Sequence, residues 1–482
     1  MSAESMHFVT VGATQILVEN LWERIAAAGG FRFSHLVHPE LHPAAWEGEA
    51  APRNVHFFCH HGNPEMPEPD RSLLASLERD EVPTIHNMIL SDRVVSTLDY
   101  REALAYSTFL ARRLISLYEE LRPTAVIGAF DALHGSLALA VARKMGIPWF
   151  ALNFSVIPPG FACFCDRMSP AARVNLDAVS RGDIGAVAAA SMEKFENRKI
   201  EAPAYLAPPP RPLTAKIAHL PQRVSALLRT VRKARRRHFL KFVEYPSGHH
   251  VWSALRHFRR TATARSALAS SEVVNTPPST PYAFFGLHVQ PESSIDVWAP
   301  FFSNQLWVIE LLARAIPPTH RLLVKIHKSD AANYSREHLD RMQSFPGVKL
   351  VAPFADTRQF IEKAALVFSI QGTIGLEAAL LGKPVIALGE SPIVLFPSAS
   401  PIGKITDLPM LVRRKLAERP PTRLEILDAY RKFLAPFAPA GHNDWTVRPD
   451  DREIEGFAGL FAALSRHLKM SGIASIAAIT SR

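Results

Sequence analysis

From Val367 to Gly389 the chain reads as an apolar strand, a turn at Gln371-Gly372-Thr373, a short helix, a Gly382-Lys383-Pro384 stop and a second apolar strand. Strands joined through a helix run parallel, whereas tight turns join antiparallel ones. The helix therefore starts at the carboxyl edge of a sheet, with small residues where backbone must approach a ligand. Its first N–H groups lack helical partners and sit at the positive end of the helix dipole, which suits a phosphate. Glu377, one turn further on, is placed to accept hydrogen bonds from a ribose. Gln371, Gly372, Thr373, Gly375 and Glu377 are accordingly the candidate nucleotide-binding residues.

The same alternation recurs on both sides of a different middle. Within residues 1–165, strands are expected at His7–Val11, Phe33–Val37, Val55–Cys59, Ala125–Gly128 and Trp149–Asn153, with helices at Gln15–Ala28, at Tyr100–Leu121 and from the turn near Asp131 to Lys144. From Tyr282 the expected strands are Tyr282–Leu287, Leu322–Ile326, Val348–Val351, Leu366–Ile370 and Val385–Leu388. Asp356, three residues before Gln359, is a fitting N-cap for the helix leading into the fourth of these. The fold class is α/β: two Rossmann-like doubly wound domains facing a cleft, at residues 1–165 and 281–420. Residues 166–280, with Pro208-Pro209-Pro210 and a basic run, read as a largely helical interdomain insertion outside any sheet, and 421–482 as a helical tail.

At 482 residues the chain is long enough for such an arrangement. Cys59, Cys163 and Cys165 are too few for a disulfide framework, and the first residues lack a basic, then apolar, leader. No apolar run reaches the roughly 18 residues of a membrane span. A cytoplasmic protein is the expectation. The net charge of +10 is localised: between Arg211 and Arg265 stand fourteen Lys/Arg and one acid, Glu244, so the rest is slightly acidic. Around 229–242 the basic residues alternate with Leu227, Leu228, Val231, Phe239, Leu240 and Phe242. Such a helix fits an anionic membrane surface, and a solvated connector fits equally well. Nucleic acid is the weaker reading, since no nucleic-acid fold signature surrounds the cluster.

Residues that directly follow strands carry the remaining chemistry. Lys325 and His327 share a face at one strand end, where a cation and an imidazole reach a phosphate. His288, Gln290 and Glu292 follow another strand, in a turn ordered by Pro291. In the N-terminal half, Asp131 follows a strand and is the first choice for a base, with His134, Glu292 and His288 competing; its bland alternative is a helix cap. His56, Cys59, His60 and His61 approach a zinc pattern, but neighbouring strand residues point to opposite faces, and no metal is expected.

In order, Tyr282–Glu292, Gln305, Leu323–His327, Val351–Phe354 and Gln371–Pro384 resemble the bacterial capsule and surface-polysaccharide biosynthesis proteins, glycosyltransferases of the two-domain GT-B type. Ser91-Asp92-Arg93 and Gly128–Pro148 are similar to the N-terminal half of that family. The resemblance implies a nucleotide-activated sugar, with CMP or UDP as the expected nucleotide, in the C-terminal half and a glycan or lipid-linked acceptor in the N-terminal one. It implies that Lys325 and His327 meet donor phosphate, that Gly372 and Thr373 form the helix-start contact, and that Glu377 holds ribose. One departure stands out: Lys328 follows His327 where the family usually has proline. Metal-independent, inverting transfer is the implied chemistry, without a resident cofactor, at the inner face of the cytoplasmic membrane. A UDP-sugar 2-epimerase, a glycerophosphate-type polymer transferase and a non-catalytic carbohydrate- or nucleotide-binding scaffold remain open alternatives.

Overall fold

A computed structural model describes residues 6–13, 17–37, 52–58, 66–129, 131–176, 184–198, 268, 271–329, 334–441 and 448–471. The chain divides into two units. Of the described residues, the first unit takes in those of 6–176 and 436–471, and the second those of 184–198 and 268–435.

In the first unit, β1 (His7–Ala13), β2 (Arg32–Val37), β3 (Val55–Phe57), β4 (Ala125–Gly128), β5 (Trp149–Phe154) and β6 (Phe161–Cys165) are joined by β14 (Ala438–Pro439). Their spatial order is β14-β6-β5-β4-β1-β2-β3. The five strands β1 to β5 pair in parallel, and β6 and β14 add antiparallel pairs at one edge. The helix expected over Tyr100–Leu121 spans those residues, capped by Asp99, whose carboxylate accepts from the Glu102 N–H at 3.0 Å. Its buried side chains, among them Leu104, Leu110, Ala111, Leu114 and Leu117, recur at helical spacing.

The stretch expected to be a single tail from 421 is divided between the units. Helix Arg423–Leu434 lies in the second, and helix Asp451–Met470 lies in the first. The latter opens with a capping box between Asp450 and Glu453 and is tied by an Arg24–Asp451 pair at 2.7 Å. Its Phe461 ring lies 5.1 to 6.1 Å from the rings of Phe8, Trp22, Phe31, Phe33 and Phe164. A chain-terminal helix thereby fills the centre of this core.

The second unit is all-parallel: β7 (Val273–Val274), β8 (Tyr282–Gly286), β9 (Arg321–Lys325), β10 (Val348–Val351), β11 (Leu366–Ser369), β12 (Val385–Ala387) and β13 (Ala399–Pro401). Their order is β13-β12-β11-β8-β9-β10-β7. Helices Gln305–Ala315, Arg336–Gln343, Thr357–Lys363 and Thr373–Leu380 connect β8 through β12 in turn. Asp356 caps the third, accepting from the Arg358 N–H at 3.0 Å and from the Gln359 amide at 3.0 Å. One sequence expectation is corrected here. Residues 166–280 were expected to contribute no strand, yet Val273 and Val274 pair with Leu350 and Val351 as the sheet edge. Two residues are too short to show a period, so the neighbour's open ladder positions decide their conformation. Among the described residues no helix is long and apolar enough to cross a membrane.

Candidate functional site

In the second unit β11, β8 and β9 lie side by side and end at one edge. The chain winds outward from β8 through β9 and β10, then returns to β11 and winds the other way. Loops leaving two strands at such a reversal diverge and open a crevice, the usual ligand position in open α/β sheets. His288 follows β8, His327 follows β9, and Gln371-Gly372-Thr373 follows β11.

Gly372 is the N-cap of the Thr373–Leu380 helix, with φ +87° and no side-chain cap. Only glycine enters that backbone region without strain. A Cβ at Gly372 would lie 3.2 Å from His288 Cε1, so the missing side chain also makes room for the imidazole. Gly286, the last residue of β8, allows a second close approach: a Cβ there would sit 2.1 Å from Ile374 Cδ1. Gly375 departs from its expected role. It is buried, and a Cβ would meet Ile393 Cδ1 at 2.7 Å and Ser369 Oγ at 2.8 Å. It seats the helix on β11 and does not line the edge.

If this helix start receives a phosphate, replacing Gly372 by valine weakens that binding at least about tenfold, because a side chain holds φ +87°, ψ −171° only at a cost of roughly 1–3 kcal/mol and relieves it by turning the Gly372 and Thr373 N–H groups away. Isothermal titration of wild type and variant checks this, with circular dichroism confirming that the variant folds.

Gln305 clasps His288. Its Oε1 accepts from the His288 N–H at 2.7 Å, and its Nε2 donates to the His288 carbonyl at 3.0 Å and to Gln290 Oε1 at 2.9 Å. The imidazole is held more loosely: Nε2 accepts from the Gln371 N–H at 3.4 Å, and Nδ1 lies 3.4 Å from Ser294 Oγ. Ser294 in turn donates to Glu292 Oε2 at 2.7 Å. Asp296 closes the turn, accepting from Gln290 Nε2 and the Glu292 N–H at 2.8 and 2.9 Å. Burial, aided by the nearby His327, lowers the His288 pKa to about 4. The ring is neutral at pH 7.

The expected Lys325–His327 pair is present but unequal. Lys325 is buried, and its ammonium donates to the carbonyls of Ala352 at 3.4 Å and Pro353 at 2.5 Å. Two of three ammonium donors thus hold the turn that leaves β10. Burial and the neighbouring Lys328 lower its pKa to about 8, with Asp356 opposing. His327 Nδ1 accepts from the Ser329 N–H at 3.2 Å, which leaves the proton of the neutral ring on Nε2. Burial, then Lys325 and Lys328, lower its pKa as well. Glu377 is pushed up to about 7 by burial, against the pull of Arg358 and a hydrogen bond from the Thr373 side chain. Phe354, beyond the turn that Lys325 holds, is 66% exposed.

In the first unit Ser91-Asp92-Arg93 proves to be a scaffold for Asp131. Buried Asp92 accepts from the Val94, Val95 and Leu133 N–H groups at 2.9, 2.8 and 2.9 Å. Arg93 then reaches both oxygens of Asp131, at 3.3 and 3.2 Å. His134 lies below the surface, with Nε2 2.8 Å from the Tyr106 hydroxyl and its ring 5.0 Å from Phe58. Burial lowers its pKa to about 3. The sequence put Asp131 first as a base with His134 among its competitors, and the fold gives the two different surroundings.

Cys59, His60, His61 and the whole basic segment, including 229–242, lie outside the described residues. Among the described residues no three His, Cys, Asp or Glu side chains gather as a metal site.

Residues 219–435 match the family described as capsule polysaccharide biosynthesis protein. The resemblance drawn from the motifs is borne out over those residues. No curated protein matches the sequence. Among solved structures, Thermosulfurimonas dismutans KpsC, a beta Kdo 2,4 transferase, gives a TM-score of 0.33 at 13% identity, covering 88% of this chain and 89% of that one. The UDP-GlcNAc 2-epimerase from Neisseria meningitidis, solved with UDP-GlcNAc bound, gives 0.27 at 13% identity, covering 96% and 100%. The strand orders above, not these overlaps, define the fold.

Proposed function

We propose, with the capsule-synthesis match as premise, that this chain is a glycosyltransferase of the GT-B type that extends a bacterial surface glycan from a nucleotide-sugar donor. One observation carries the reading: an uncapped helix start, two imidazoles of opposite tautomer and a lysine converge on one sheet edge at the winding reversal. The Gly372 and Thr373 N–H groups receive donor phosphate, as helix starts do. His327 adds its Nε2–H, and Lys325 its remaining ammonium donor. Glu377 accepts from ribose hydroxyls, and exposed Phe354 offers a flat apolar face to the base.

His288 is the group we assign as proton acceptor. Its Nε2 carries a lone pair at the phosphate end of the site, while Arg93 already engages both Asp131 oxygens. The acceptor hydroxyl forms its bond to the anomeric carbon, and the 3.4 Å bond from the Gln371 N–H to His288 Nε2 opens to free the lone pair. The hydroxyl proton passes to His288 Nε2. The sugar–phosphate bond breaks and its electron pair leaves with the nucleotide, whose charge the new imidazolium, His327 and the helix start stabilise. With the phosphate met by these groups, we propose transfer that proceeds without a metal ion.

The test is incubation of the intact protein with a panel of nucleotide sugars and glycan or lipid-linked acceptors. Acceptor-dependent nucleotide release with an elongated glycan is expected. Free epimerised sugar without acceptor would mark a 2-epimerase instead, and absence of any turnover a binding scaffold.

The pKa shifts give the donor site a pH window. Lys325 loses its charge as pH rises through about 8, and Glu377 loses its carboxylate as pH falls through about 7. Donor affinity is therefore expected to peak between these values and decline on both sides. Titrations across about pH 6 to 9 read this directly, and a flat profile would remove both residues from the site.

A further inference from the structure

The His288 ring is bounded on each side by a group whose proton can lie in only one place. On one side stands the Gln371 backbone N–H, which can only donate, so His288 Nε2 must present its lone pair at 3.4 Å. On the other stands Ser294. Its hydroxyl proton is committed to Glu292 Oε2 at 2.7 Å, because a carboxylate only accepts. Ser294 Oγ is left as an acceptor, and His288 Nδ1, at 3.4 Å, must be the donor. Both sides fix the same tautomer independently.

The backbone around the ring is arranged to the same end. Gln305 fixes the His288 main chain from both N–H and carbonyl, and Asp296 fixes the Gln290–Glu292 turn that carries the carboxylate. Gly372 keeps the space beside Cε1 free. What remains adjustable is the position of one proton on a neutral ring.

We infer that Ser294, backed by Glu292, is a positioning residue that holds His288 as the Nδ1–H tautomer, so that its Nε2 lone pair faces the helix start at Gln371. The inference rests on the donor-site reading given above for its use in transfer, but the tautomer itself is a property of the free protein. When Nε2 takes the acceptor's proton, the 3.4 Å bond from the Gln371 N–H opens and both ring nitrogens carry hydrogen. The Nδ1–H then continues to donate to Ser294 Oγ, whose own proton stays on the bond to Glu292, so no further proton moves. A ring in the opposite tautomer would point an N–H at the Gln371 N–H and have no lone pair to offer. A neutral imidazole's two nitrogens are distinct, and the bond made by one sets the role of the other.

The experiment is long-range proton–nitrogen NMR on the intact chain with 15N-labelled histidine, the His288 signals being those lost in His288→Gln. In the wild type the Nε2 resonance is expected at the unprotonated position and Nδ1 at the protonated one. Ser294→Ala leaves the Gln371 N–H as the remaining constraint and should raise the Nε2-protonated fraction measurably above that of the wild type, and Ser294→Thr, which keeps the hydroxyl, should restore the wild-type pattern. Glu292→Gln should shift the balance the same way as Ser294→Ala, since its amide can donate to Ser294 and turn that hydroxyl toward Nδ1. A wild-type Nε2–H ring, or a pattern unchanged in Ser294→Ala, would overturn the inference. Titration of the same samples with UDP and CMP separates the two claims: tautomer control without nucleotide binding would sink the donor-site reading and leave the positioning role standing.

Discussion

His288→Ala is expected to lower the turnover number for sugar transfer roughly 10²–10⁴-fold, the usual contribution of one positioned acid–base group. Donor affinity should change far less, because the helix start, His327 and Lys325 still meet the phosphate. The prediction follows from where the ring lies and how it is held. Its Nε2 faces the Gln371 N–H, its backbone is clasped by Gln305, and its pKa of about 4 keeps the lone pair available at pH 7. Single-turnover rates measured at saturating donor separate the chemical step from binding. Asp131→Asn, by contrast, leaves Arg93 a hydrogen-bonding partner and should lower turnover far less. If Asp131→Asn costs the larger factor in turnover and His288→Ala almost none, the base has been assigned to the wrong unit.

Phe461→Ala is expected to destabilise the first unit by about 3–5 kcal/mol, as large-to-small changes of a fully buried aromatic do. The ring is completely buried and touches five other aromatic side chains, which belong to β1, β2, β6, the turn before β2 and the helical segment before it. No one neighbour can move into the space left behind without abandoning another contact. Urea unfolding followed by tryptophan fluorescence gives the loss from the shift in midpoint, with Trp22, 6.0 Å from Phe461, as reporter. An unchanged midpoint would mean that helix Asp451–Met470 does not pack as described.

Strand ends and helix caps were legible in the sequence because they depend on local pattern. Ala125–Gly128 and Val348–Val351 alternate with turn residues at known places, and Asp356 precedes its helix as an N-cap should. Edge pairing was not legible. Val273–Val274 and Ala438–Pro439 are two-residue strands whose partners lie far away in sequence, so no period announces them. The return of helix Asp451–Met470 to the first core was hidden for a related reason: amphipathic spacing reveals an apolar face but not the surface it covers.

The site was legible to the same depth. His288, Lys325, His327 and the Gln371–Thr373 turn were picked out because they lie at or just beyond strand ends, and the fold brings those ends to one sheet edge. Gly375 was misjudged because a glycine near a phosphate turn looks the same whether it approaches a ligand or a strand, and only its nearness to Ser369 and Ile393 distinguishes them. Ser294 gave no signal at all. A serine two residues after a glutamate is ordinary, and its place between Glu292 and His288 comes from the fold of the turn. Asp92 was quoted with its neighbours, but of its three backbone bonds the one from Leu133 spans 41 residues and no local pattern announces it.

The central claim is a nucleotide-sugar site at the shared edge of β8, β9 and β11. Titration calorimetry of the intact protein with UDP, CMP, GDP and dTDP, repeated on Gly372→Val, tests it most directly. One of these nucleotides is expected to bind saturably to the wild type, with affinity at least about tenfold weaker in the variant. Absence of binding by all four, or equal binding by the folded variant, would contradict it.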